Sequence, residues 1–125
     1  MKNKGTALTV DDEEIVLEIE EFMFQKIGFE ILIAKNSAQA CELYQDEKDN
    51  IDLVVLDMIM PDENGGNTYK QLKKINPNIK VIVSSGMGKG SAVREILNDW
   101  PNRFLPKPFK FEEFTKSVDA ILSRN

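Results

Sequence analysis

Apolar positions along the chain switch between two periods. Thr6 to Val10 is a short, β-prone run. From Asp12 to Ile27, the residues Ile15, Val16, Ile19, Phe22, Met23 and Ile27 recur at helical spacing, and Gly28 supplies a stop. Glu30 to Ala34 reads as a second strand. Asn36 and Ser37 can cap a helix with Ala40, Leu43 and Tyr44 on one face. Leu53 to Leu56 is a buried third strand. Tyr69, Leu72 and Ile75 mark a third helix that Asn76-Pro77 ends. Val81 to Ser84 is the fourth strand, Ser91 to Asn98 a short fourth helix, and Arg103 to Leu105 a brief fifth strand. Phe111, Phe114, Val118, Ile121 and Leu122 form the apolar stripe of the last helix.

Strand and helix alternate five times, which predicts an α/β fold: one doubly wound, five-stranded parallel sheet with helices on both faces. The 125 residues suit one domain, residues 1–125 with a core over about 6–124, and no output domain is expected. No apolar run approaches the ~20 residues that span a bilayer, and no apolar segment follows the basic N-terminus as in a signal peptide. A single cysteine, Cys41, excludes an internal disulfide and fits a cytoplasmic location. The net charge of -5 argues against direct nucleic-acid binding. The chain has no histidine, which removes Ser-His-Asp and Cys-His catalysis and every His-based metal site.

The third strand ends on Asp57, within Asp52-Leu53-Val54-Val55-Leu56-Asp57-Met58-Ile59-Met60-Pro61. A β-branched run that stops on a carboxylate delivers that group to the carboxyl edge of a parallel sheet, where open α/β sheets bind ligands. Asp11-Asp12-Glu13-Glu14 follows the first strand, and taken alone it is a good helix entrance. In a doubly wound sheet the first and third strands are neighbours at the switch point, so Asp11, Asp12 and Asp57 converge. Carboxylates that close repel, which favours a hard divalent cation with oxygen ligands such as Mg²⁺ (or Mn²⁺). Ser84-Ser85-Gly86 and Lys107-Pro108 end the fourth and fifth strands. They bring a hydroxyl and an ammonium suited to phosphoryl oxygens.

The ordered set Asp11-Asp12, Leu56-Asp57-Met58-Ile59-Met60-Pro61 with Gly65, Ser85-Gly86 and Lys107-Pro108-Phe109 resembles the receiver (CheY-like) domain of two-component response regulators. The resemblance covers almost the whole chain. It implies the flavodoxin-like strand order 2-1-3-4-5 and a phospho-acceptor switch in a phosphorelay, not an enzyme with a separate substrate. Asp57 would accept a phosphoryl group from the phosphohistidine of a sensor histidine kinase or a histidine phosphotransfer domain. Asp12, Asp57 and the backbone carbonyl of Ile59 would bind Mg²⁺ directly, with Asp11 acting close by through water. Lys107 would pair with the phosphoryl oxygens, Ser85 would be drawn to them, and Phe104 would turn inward behind Ser85. The change would be read on the face of the fourth helix, fifth strand and fifth helix, where the family also allows a homodimer. The resemblance also implies a cis Lys107-Pro108 bond.

Some residues depart from the family pattern. Glu63 stands where Met is frequent, and Phe104 lacks the hydroxyl of the usual Tyr. Trp100-Pro101-Asn102 replaces a Gly-containing turn, and Pro106 at the fifth strand's end fits an edge strand. Ile59 is apolar where a polar side chain could orient water, which predicts slow self-dephosphorylation. It also stands where a small aspartyl-nucleophile phosphatase, the main alternative, needs its second acid. A degenerate receiver acting only as an interaction module is a third reading, opposed by the intact set of site residues. Gly86-Met87-Gly88-Lys89-Gly90-Ser91 imitates a phosphate loop, but Gly90 separates Lys89 from Ser91 and the spacing is too short. The aromatic and Met residues mostly fall on the periodic faces and, like Cys41, are expected in the core.

Overall fold

The computed structural model describes residues 5–60, 63–85 and 91–123. The strands are β1 (Gly5–Val10), β2 (Phe29–Ala34), β3 (Leu53–Asp57), β4 (Ile59–Met60), β5 (Glu63–Asn64), β6 (Val81–Ser85) and β7 (Arg103–Pro106). The helices are α1 (Glu14–Lys26), α2 (Ser37–Glu47), α3 (Gly65–Ile75), α4 (Ser91–Leu97) and α5 (Phe111–Leu122). Five parallel strands form one sheet in the order β2-β1-β3-β6-β7, which is 2-1-3-4-5 when only its own strands are counted. The sequence pattern lacks β4 and β5, a two-residue antiparallel ladder pairing Ile59 with Asn64 and Met60 with Glu63. The expectations placed on Pro61 and on the segment 86–90 lie outside the described residues.

Strand alternation sorts the core into two layers. Leu8, Val10, Val54, Leu56, Val81 and Val83 pack with Ala40, Tyr44, Leu72 and Ile96 on the α2, α3 and α4 side. Ala7, Val55, Ile82 and Leu105 pack with Phe24, Phe114, Val118 and Ile121 on the α1 and α5 side. Phe24 and Phe114 meet edge to face with their centroids 4.7 Å apart, joining the two helices. Gly28 takes φ 88° just beyond α1, a left-handed turn that glycine makes at no steric cost, and the chain passes directly into β2. Asn36 caps α2 by accepting the Gln39 N–H at 2.8 Å. The edge strand β7 ends on Pro106, as an edge permits. The Lys107-Pro108 bond is cis, as the resemblance implied, and so is Trp100-Pro101.

The apolar stripe read for α1 is corrected. Ile15, Ile19 and Phe22 are exposed, by 71%, 46% and 60%, and the buried face carries Leu17, Glu20 and Phe24. The helix has apolar residues on nearly every side, so periodicity alone could not pick the inner one. Phe111 (37% exposed) and Trp100 (71%) also lie outside the core expected for aromatic residues. Cys41 is only half buried, with its Sγ 3.2 Å from Gln71 Oε1.

The turn at Trp100-Pro101-Asn102 is held by a polar network. Asn102 accepts the Val81 N–H at 2.8 Å and donates to the Tyr69 hydroxyl and the Ile96 carbonyl at 2.9 and 3.0 Å. Tyr69 and Lys73 both donate to Asp99, at 2.7 and 2.6 Å. Those two hydrogen bonds, first from Lys73 and then from Tyr69, hold the Asp99 carboxyl below its ordinary pKa. Helix α3, the end of α4 and the starts of β6 and β7 are thereby tied together. Among the described residues, no helix is long and apolar enough to cross a membrane.

Candidate functional site

Parallel strands place all their carboxyl ends on one edge, and the site is assembled there. Asp11 follows β1, Asp57 ends β3 and Lys107 follows β7. Asp11 and Asp57 are 1% and 5% exposed, so neither is a solvated surface acid. One carboxylate oxygen from each of Asp11, Asp12 and Asp57 lies within 4.8 Å of the other two. Lys107 Nζ donates to Asp11 Oδ2 at 2.8 Å and lies 3.3 Å from Asp57 Oδ1. Burial opposes the ammonium's charge. The hydrogen bond to Asp11 and the charges of Asp57 and Asp11 outweigh it, so the Lys107 pKa is raised.

Asp11 serves two elements at once. Its Oδ1 accepts the Glu13 N–H at 3.0 Å, just before the first residue of α1, while its Oδ2 holds Lys107. One carboxylate therefore holds the backbone ahead of α1 and the Lys107 ammonium together. Asp12 is half buried beside it. Ile59 opens the β4–β5 ladder two residues beyond Asp57, which keeps its backbone at the same edge.

Ser85 ends β6, is 2% exposed, and accepts the Lys107 N–H on its carbonyl at 3.0 Å. Alternation in β6 places Ser84, not Ser85, on the sheet face of Asp57, because Ile82 faces α1 and α5 and Val83 faces the other way. Asp57 and Ser84 are also direct partners in the β3–β6 register. Phe104 pairs with Val83 and packs, half buried, on the α4 side, the side to which Ser85 belongs. The structure thus gathers Asp11, Asp12, Asp57 and Lys107 into one pocket, with Ser85 ending the neighbouring strand at the same edge and Phe104 on the α4 side.

The sequence reading missed a carboxyl. Glu20 lies on the buried face of α1 at 1% exposure. Burial, reinforced by Asp11, pushes its pKa up to about 8, with Lys107 pulling the other way and Asp57 adding to the rise. The spacing of Leu17, Glu20 and Phe24 at i, i+3 and i+7 was the available signal.

An apolar recess of about 470 Å³ adjoins the ammonium, lined by Val16, Ile19, Lys107, Pro108 and Phe109. A larger recess of about 650 Å³ sits at the opposite edge of the sheet against Gly5, Phe29 and Asp52, remote from the carboxylate pocket.

A doubly wound parallel sheet that gathers three carboxylates and one lysine at its carboxyl edge defines a phosphoryl-handling switch domain. The profile of the response regulator receiver domain matches residues 7–119, and the chain belongs to that family. Chemotaxis protein CheY of Thermotoga maritima is 32% identical over 115 residues, 91% of this chain and 94% of that protein. Sensor kinase CckA of Brucella abortus is 29% identical over 124 residues, 99% of this chain but 13% of that protein. Among solved structures, the CheX-CheY-BeF3-Mg complex from Borrelia burgdorferi matches with a TM-score of 0.89 at 26% identity, over 98% of this chain and 92% of that one. A receiver domain protein from Clostridium thermocellum gives 0.88 at 26% identity, over 96% and 95%. Receiver domains are signalling switches of two-component systems, bind Mg²⁺ at an acidic pocket, and interact with histidine kinases and phosphotransfer partners.

Proposed function

We propose that Asp57 accepts a phosphoryl group from the phosphohistidine of a sensor histidine kinase or a histidine phosphotransfer domain. The observation that carries this reading is the Lys107 ammonium set between Asp11 and Asp57, beside three carboxylates with oxygens in mutual reach. An oxygen of Asp57 attacks phosphorus as the bond to the donor nitrogen breaks, and that electron pair stays on the imidazole. Phosphoryl transfer asks the protein mainly for in-line positioning and charge neutralisation. Lys107 supplies positive charge and turns toward the phosphoryl oxygens.

The donor set is all hard oxygen, which fits Mg²⁺ or Mn²⁺. Asp12, Asp57 and the Ile59 carbonyl would hold the ion directly, with Asp11 at one water's remove. When bound, it supplies the charge neutralisation that three carboxylates and a phosphoryl group together require.

The phosphoryl group gives Ser85 a new acceptor at the end of β6. Ser85 and Phe104 share the α4 side of the sheet, so a change at Ser85 passes to Phe104 and to the face formed by α4, β7 and α5. The chain catalyses its own phosphorylation and dephosphorylation and turns over no separate substrate. We place this exchange in the cytoplasm.

The exposed side of α1 supports a protein donor. Ile15, Ile19 and Phe22 form an apolar stripe at i, i+4 and i+7, beside the recess that reaches Lys107. A helix seated on this stripe would present its phosphohistidine to Asp57.

The test is incubation with Mg²⁺ and a small phosphodonor, followed by intact mass measurement. One acyl phosphate per chain is expected, and none in Asp57→Ala. An adduct that survives Asp57→Ala refutes the assignment, and many turnovers of assorted phosphoesters would make the protein a phosphatase.

A further inference from the structure

The recess of about 470 Å³ lies between α1 and the segment that follows β7. Among the described residues, α1 lines it with Val16 and Ile19, and the later segment with Lys107, Pro108 and Phe109. All of these side chains but Lys107 are hydrocarbon. Both walls are fixed. Phe109 stacks on the fully buried Phe114 with ring centroids 5.9 Å apart. The entrance to α1 is tied through Asp11 to Lys107. The recess is therefore pre-formed, and its volume falls within the ~300–1,000 Å³ of small-ligand sites. Its one charged wall is Lys107, whose Nζ also lies 3.3 Å from Asp57 Oδ1. An apolar slot thus adjoins the acceptor and shares a cation with it. Such a slot selects a ligand with a hydrocarbon body and one anionic end.

We propose that this recess seats the hydrocarbon chain of an acyl phosphate, so that the chain takes phosphoryl groups from medium-chain acyl phosphates in preference to acetyl phosphate. This inference deepens the acceptor reading above and rests on it. The phosphate end meets Lys107 beside Asp57, and the acyl chain lies along Val16, Ile19 and Phe109. An oxygen of Asp57 attacks phosphorus. The bond from phosphorus to the bridging oxygen breaks, and its electron pair leaves on the acyl carboxylate. No proton moves, and the products are phosphorylated Asp57 and a free carboxylate. The acyl chain takes no part in the bond changes, so it binds equally well before and during transfer. Its contribution therefore falls on the donor concentration required and not on the limiting rate. The outer stripe of Ile15, Ile19 and Phe22 shares only Ile19 with the recess, so a small donor does not need the surface that a helix would cover.

A series of donors tests this. Acetyl, butyryl and hexanoyl phosphate carry the same reacting group and leave as carboxylates of nearly equal basicity, so they differ in hydrocarbon alone. Phosphoramidate has no hydrocarbon and serves as the reference. Adduct formation on Asp57 is followed by intact mass with Mg²⁺ over a range of each donor. A fully buried methylene is worth about fourfold in affinity. With its extra methylenes partly buried, hexanoyl phosphate should half-saturate at about one tenth of the acetyl phosphate concentration or less, at a limiting rate within about twofold. Val16→Ser removes apolar wall and should raise the hexanoyl phosphate requirement about threefold or more, leaving acetyl phosphate and phosphoramidate within about twofold. Binding is read separately, without transfer, with the phosphonate in which a methylene replaces the bridging oxygen of hexanoyl phosphate. It should shift the Val16 methyl and Phe109 ring resonances. The proposal is overturned if the requirement is the same for all acyl lengths, if Val16→Ser affects every donor equally, or if the phosphonate shifts neither residue. Hexanoate that binds as tightly as the phosphonate also overturns it, since the recess would then be a site for plain carboxylates. A chain that forms no adduct with any donor overturns the acceptor reading and this proposal with it. A chain that reacts with phosphoramidate and shows no dependence on acyl length overturns this proposal alone.

Discussion

Asp57 and Glu20 show two fates of a carboxyl in a low-dielectric setting. Asp57 has the Lys107 ammonium 3.3 Å away and two further acids with which to share a cation. Among the described residues Glu20 forms no ion pair, and burial, reinforced by Asp11, raises its pKa to about 8 against the pull of Lys107. That difference has a measurable consequence for folding. Glu20 loses its proton near pH 4.5 in the unfolded chain and near 8 in the fold, where it faces Asp11, Asp57 and Lys107. Its pKa is raised on folding, so its contribution is fully present below about 4.5 and is lost as pH rises toward 8. The loss is about 1.4 kcal/mol for each unit of that interval. Urea unfolding of the unaltered chain and of Glu20→Gln, compared across that range, should show the extra pH slope only in the former. Equal slopes would mean that Glu20 is ionised in the fold. Asp57 was legible in the sequence because a β-branched run ended abruptly on an acid. Glu20 was not, because Glu18, Glu20 and Glu21 stand close together on one helix and look like a solvated face. Only the packing of Leu17 and Phe24 separates the buried acid from the others.

At the scale of elements, α1 is the instructive case. Its existence and near limits followed from apolar spacing and from Gly28, but its orientation did not. Seven apolar residues among thirteen leave no polar side broad enough to mark the solvent face. Ile15, Ile19 and Phe22 were read as core, and they form an outer stripe instead. If that stripe seats the donor, Ile19→Glu combined with Phe22→Ser should leave stability within about 0.5 kcal/mol, as surface changes usually do. Phosphorylation by a small phosphodonor should be unchanged. Transfer from any histidine-phosphorylated domain that serves the unaltered chain should slow by about tenfold or more, the scale of a lost interface anchor. Equal slowing with both donors would place the effect in the pocket, not on the surface. The β4–β5 ladder escaped the sequence reading because two-residue strands carry no period. The Tyr69–Asp99–Asn102 network escaped it because Tyr69 stands 30 and 33 positions from Asp99 and Asn102 and meets them only across the fold.

For the whole molecule, the five strand–helix repeats were enough to predict a parallel sheet, and the sheet in turn predicted which strand ends would meet. Asp11, Asp12, Asp57 and Lys107 did meet; the face on which each serine lies depended on a register that no local pattern encodes. Three acids held together by folding oppose one another, so a divalent cation should stabilise the fold as well as prepare the chemistry. Mg²⁺ at about 100 times its Kd should add roughly 2.7 kcal/mol at neutral pH, measured as a rise in Tm, and Asp12→Asn should remove most of it. A Tm indifferent to Mg²⁺ would rule out the ion at this cluster. The double engagement of Asp11 extends further. Its one carboxylate anchors both the ammonium and the backbone at the entrance to α1, the helix whose outer stripe would receive the donor. If a donor seated on α1 tilts that helix and a phosphoryl group on Asp57 recruits Lys107, both act on the same carboxylate, and the two events would be thermodynamically coupled. Such coupling is reciprocal: by whatever factor phosphorylation loosens the donor's hold, the donor's presence disfavours the phosphorylated form. A single acid at the head of one helix could thus help to set the direction of traffic through the relay.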